Sequence, residues 1–97
     1  MVEATAIVER VSKALGVSPD ELVRKGVEEF LQAQLRACSA EIRELEARYG
    51  AKSASELKEK ISKGIVREHP AWEDLIVLEN LEERAKKISK ELGVLKS

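Results

Sequence analysis

Two runs of apolar residues, each in the 3–4 alternation of a coiled-coil seam, constrain this chain more than anything else in it. Leu31, Leu35, Cys38, Ile42, Leu45 and Tyr49 are spaced 4, 3, 4, 3, 4. Leu78, Leu81, Ala85, Ile88, Leu92 and Leu95 are spaced 3, 4, 3, 4, 3. On an α-helix such spacing draws one narrow apolar stripe, which has to be laid against another helix. The pattern predicts an all-α fold with coiled-coil-like seams: a short N-terminal helix, a long central helix, a connector helix and an antiparallel C-terminal helix.

Local signals place the ends of these elements. Ala4, Ile7, Val8, Val11 and Leu15 recur at helical spacing, and Gly16 follows as a helix stop. Val2, Ala4, Ala6 and Val8 also alternate, so a strand period fits the first residues equally well. Ser18-Pro19-Asp20-Glu21 is a helix start, with Ser18 as cap, Pro19 in the first turn and Glu21 three residues on. Between Leu22 and Tyr49 only Gly26 weakens the helix, by about 1 kcal/mol relative to alanine. Gly50 ends it, and Ser53 or Ser55 opens a short helix with Leu57 and Ile61 on one face, closed near Lys63 and Gly64. The 97 residues form one domain: 1–49 for the N-terminal and central helices, 50–71 for the connector, 72–97 for the last helix.

A helix from Pro19 to Tyr49 would run about 46 Å at the α-helical rise. A compact domain of this length has a radius of gyration of only about 12–13 Å. The sequence therefore predicts a homodimer, the second chain covering the seam that overshoots a monomeric core.

Composition removes whole classes of function. Seventeen basic and eighteen acidic residues nearly cancel, so no global field draws the chain to nucleic acid or anionic lipid. One cysteine, Cys38, builds neither a disulfide framework nor a cysteine zinc site; at a seam position it reads as a small buried hydrophobe. No apolar run approaches a membrane span and no leader pattern opens the chain, which predicts a soluble, cytoplasmic protein. Sixteen Glu against one Asn and two Gln is a composition of heat-adapted, thermostable proteins. There is no glycine-rich phosphate loop. The pairs Glu41/Glu44 and Glu79/Glu82 each put two carboxylates one turn apart, as all-α magnesium-dependent nucleotide hydrolases do, yet they flank the seams where coiled coils carry solvated charge. No catalytic, cofactor-binding or metal-binding residue is assigned, and no cofactor is expected.

The stretch REHPAWEDLIVLENLEER, residues 67–84, has a character of its own. It contains the only His, the only Trp and the second of two Pro. Residues 68–83 hold Glu68, Glu73, Asp74, Glu79, Glu82 and Glu83 with no Lys or Arg, and residues 84–96 turn basic. Pro70 forbids helix at His69 and suits the first turn of a helix. Trp buries a large area with few rotamers to freeze, so Trp72 among carboxylates suits a basic protein partner. Glu68, His69, Trp72, Glu73, Asp74 and Glu79 are the candidate partner-binding residues. The bland alternative makes Trp72 a plug at the end of the core with Leu75, Ile76 and Leu78.

Ser18-Pro-Asp-Glu-Leu-Val-Arg-Lys-Gly-Val-Glu-Glu-Phe-Leu31 resembles the second helix of ribbon-helix-helix regulators, and Val11 to Val17 the tail of their first. Residues 49–84, a Tyr-Gly helix end, a Ser-Glu-Leu helix and an acidic Trp segment, are similar to the C-terminal half of small helical antitoxin-like proteins of type II toxin–antitoxin pairs. The resemblance implies a dimeric, non-enzymatic protein that masks the basic surface of a toxin-type partner. A DNA-binding regulator is the alternative, but the residues available for its ribbon, Met1 to Ala6, offer Glu3 and Thr5 outward, and a carboxylate repels phosphate. The hydrolase built on the glutamate pairs is the third reading.

Overall fold

The computed structural model describes residues 2–97. It is all-α, with no strand among the described residues: α1 (Ala4–Leu15), α2 (Pro19–Tyr49), α3 (Ala54–Ser62) and α4 (Glu68–Lys96). The alternation over Val2–Val8 is therefore helical from Ala4 onward. Helix α1 stops where Gly16 takes φ 69°, a left-handed conformation that costs a residue with a Cβ. The Ser12 hydroxyl, the one buried polar side chain among the described residues, donates to the Val17 carbonyl and ties the turn to the helix it follows. Ser18 caps α2 by accepting from the Glu21 N–H at 3.1 Å. Gly26 does not interrupt α2, whose 31 residues end at Gly50 with φ 60°.

Helix α3 has nine residues, fewer than the roughly 12–15 that an isolated helix needs to be even marginal in water. Its neighbours hold both ends. Ser53 accepts from the Glu56 N–H at 3.1 Å, and Glu82 of α4 accepts from the Ala54 N–H at 2.9 Å. At the far end Lys60 donates to the Gly50 carbonyl at 3.0 Å and to that of Tyr49 at 3.4 Å, closing the end of α2 as well. Negative charge at the start of α3 and positive charge at the end of α2 are what the two helix dipoles favour.

Helices α2 and α4 run antiparallel. Tyr49 and Arg48 meet Asp74; the Cys38 thiol donates to the Leu81 carbonyl at 3.1 Å; Arg84 donates to Gln34 at 2.8 Å. Further along, Val23 and Val27 share a groove with Val94 and Leu95. The two seams face each other within one chain. Because α4 already covers the central seam, its length by itself gives no reason for a second chain. Cys38, Leu45, Leu78, Ile88 and Leu92 are buried there, and Leu31, Leu35, Ile42, Tyr49 and Leu81 are half-buried.

The core is lopsided. Leu45, Ala51, Ala54, Leu57, Ile61, Ala71, Leu75 and Leu78 gather where the end of α2, α3 and the first half of α4 meet. From Val2 to Ala37 no apolar side chain is buried, and α1 packs on α2. The molecule measures 60 × 33 × 16 Å with a radius of gyration of 19.3 Å, far above the roughly 12–13 Å of a compact domain this long. Its thinnest dimension leaves room for two packed helices and no more.

Candidate partner-binding face

Pro70 shapes the start of α4. His69 before it is extended (φ −111°, ψ 127°), its peptide bond to Pro70 is cis, and regular helix follows. The inward face of that helix begins with Ala71, Leu75 and Leu78, all buried. Trp72 follows Ala71 by one residue and is rotated by about 100° from the core. Its side chain is 47% exposed, and Ile76, one turn on, is 49% exposed. Trp72, Glu68 and His69 line a dent of about 150 Å³.

His69 Nδ1 lies 3.0 Å from a Glu73 carboxylate oxygen, with both side chains well exposed. The Glu73 carboxyl is held below its usual range, first by a backbone N–H near the helix start and then by His69.

Of the six residues expected at a partner surface, Glu68, His69, Trp72 and Glu73 come together at this helix start. Asp74 does not join them. It is half-buried on the side facing α2, where it accepts from the Tyr49 hydroxyl and, at 3.1 Å, from Arg48. Arg48 also pairs with Glu44 at 3.6 Å. The hydrogen bond to Asp74 and its charge raise the Arg48 pKa. Burial, and then the hydrogen bond to Asp74, raise that of Tyr49. Asp74 therefore fastens α4 to the end of α2. Glu79 lies elsewhere too, in a cleft of about 360 Å³ between α3 and α4 with Glu82, Glu83, Lys58 and Lys86, where basic side chains offset its charge.

With Asp74 and Glu82 committed inside the fold, the acidic count of the stretch overstates what a partner meets. The surface is apolar at its centre, with Trp72 and Ile76, and acidic at its edge, with Glu68 and Glu73. The plug alternative groups Ile76 with the core, whereas its spacing of four from Trp72 puts both on one exposed face. Among the described residues no three His, Cys, Asp or Glu side chains come together as a metal site. Glu82 of one carboxylate pair is engaged with α3. No helix is long and apolar enough to cross a membrane among the described residues.

The model of the Uncharacterized protein MJ0235 family matches residues 1–96, so the chain belongs to that family. Neither the curated proteins nor the solved structures gave a match.

Proposed function

We propose, for this member of the family, a non-enzymatic binding protein of antitoxin-like type, which uses the start of α4 to cover a basic, apolar-centred patch on a protein partner. One observation carries the reading: the only tryptophan stands half-exposed beside an exposed isoleucine on a rigid helix, while Ala71, Leu75 and Leu78 of that helix fill the core without it. An apolar pair inside an acidic edge has the anatomy of an interface centre and rim, and Trp is the residue type whose truncation most often costs binding energy. Glu68 and Glu73 supply the steering field for a basic partner.

The DNA-binding alternative gains nothing from the fold, because the stretch that would serve as its ribbon is helical from Ala4. The test is a fluorescence titration of the native chain with a purified protein of its own cell that copurifies with it. Trp72 emission moves to the blue on binding. Trp72→Ala raises Kd about 30-fold, the equivalent of roughly 2 kcal/mol. Glu68→Lys with Glu73→Lys slows association and flattens its salt dependence. A partner that binds Trp72→Ala as tightly as the native chain refutes the reading.

A further inference from the structure

One end of the Trp72 face is concave, and its walls restrict what can enter. Glu68, His69 and Trp72 enclose a dent of about 150 Å³. Sites for cofactors and small ligands run from roughly 300 to 1,000 Å³, so this one has room for a single side chain. Two of the walls differ in kind. Trp72 brings a half-exposed indole. Glu68 brings a carboxylate that has no ion pair among the described residues. The next acids along α4 are already committed, Glu73 to His69 and Asp74 to Tyr49 and Arg48. Arg67, the nearest cation in sequence, is not a wall of the dent and pairs with no carboxylate.

An indole and an uncommitted carboxylate in one dent suit a cation. The ring quadrupole attracts a cation placed over an aromatic face, and Trp does so most strongly. Guanidinium satisfies both walls, because it is planar, stacks on aromatic faces and presents an N–H fork to a carboxylate; an ammonium is a compact, strongly hydrated point charge. Trp and Arg are also the residue types that most often carry interface energy, and such anchors tend to meet each other. We propose, resting on the partner surface argued above, that the dent holds an arginine side chain of that partner. Its guanidinium stacks on the Trp72 indole and donates to the Glu68 carboxylate. A helix start, with about half a positive charge, would by itself favour an anion. Here the carboxylates of Glu68 and Glu73 occupy that place and reverse the preference.

Nuclear magnetic resonance on the full chain tests this without the partner, using blocked arginine (acetyl-arginine methylamide) as the probe at constant ionic strength. Trp72 gives the chain its one indole N–H signal. That signal moves saturably with a Kd of about 10–100 mM, a scale set by the few contacts one side chain makes. The probe's Cδ protons move upfield, under the ring current of the indole they lie over. Glu68→Gln weakens binding about two- to fivefold, the range of an exposed ion pair. Glu91→Gln removes the same charge from the far end of α4 and leaves the Kd unchanged. Blocked citrulline, the neutral isostere, does not saturate, and blocked lysine binds more weakly. A response that is linear in arginine, shared by citrulline or indifferent to Glu68→Gln overturns the proposal. So does a downfield movement of the Cδ protons, which puts the cation at the ring edge, or lysine binding as tightly as arginine. The partner surface itself fails separately. If the copurifying protein needs Trp72 but blocked arginine does not bind, the surface stands and the arginine anchor falls. If blocked arginine binds but that protein ignores Trp72→Ala, the surface falls and takes the partner's arginine with it.

Discussion

Leu57→Ala puts the lopsided core to the test. Leu57 is 0% exposed and is the central anchor of α3, a helix too short to persist by itself. Truncating a buried leucine costs about 2–5 kcal/mol, the upper part of the range applying where neighbours cannot collapse into the space. Here Leu45, Leu75 and Leu78 sit on long helices fixed to each other by Asp74, Tyr49 and Arg48, so collapse is restricted. A loss of about 3 kcal/mol is expected, against a total of roughly 5–15 kcal/mol for a domain of this size. With a urea slope near 1.5 kcal/mol/M, the midpoint falls by about 2 M. Ile65→Ala, on an exposed side chain of the α3–α4 connection, is the control and should change stability by less than about 0.5 kcal/mol. Chemical unfolding followed by helix circular dichroism measures both. If Leu57→Ala and Ile65→Ala unfold at the same urea concentration, α3 is not part of the core and the account of how Glu82 and Lys60 hold it fails too.

The other predictions concern single interactions. Tyr49 titrates higher in the folded chain than its ordinary 10.0, so the folded state keeps that proton longer. Its contribution is therefore complete below pH 10.0 and is lost as pH rises through the folded value; Tyr49→Phe should flatten that alkaline fall in unfolding free energy relative to the native chain. Glu82→Ala leaves the Ala54 N–H without its acceptor and should cost about 1–3 kcal/mol, with exchange at the start of α3 speeding up first. Ser12→Ala removes the hydroxyl that reaches the Val17 carbonyl and should cost about 1 kcal/mol, read as a lower thermal midpoint. Trp72→Ala should leave the urea midpoint of the free protein nearly unchanged; a loss of about 3–5 kcal/mol would make the tryptophan a core residue and remove the partner face.

Much of this architecture was legible because its causes are local. Ser18-Pro19, Gly16 and Gly50 mark helix ends through their own local chemistry and fall where the sequence puts them, and of the two serines offered for the start of α3, Ser53 is the cap. The partner of each seam was not legible, since a 3–4 repeat reads the same whether the facing helix belongs to the same chain or another; the helix length alone argued for a second chain, and α4 answered from within. The side of α4 on which Trp72 lies was within reach. Carried back from Leu78 by three and then four residues, the second seam arrives at Leu75 and Ala71, which turns Trp72 outward and brings Asp74 round toward α2. What no spacing rule supplies is the group waiting there. Asp74 meets Tyr49 and Arg48, and Glu82 meets the Ala54 N–H, only because the antiparallel register fixes residues 25 to 28 positions apart in sequence side by side. A count of acidic residues along the chain therefore misjudges the surface, since two of the six in the stretch are spent holding helices together.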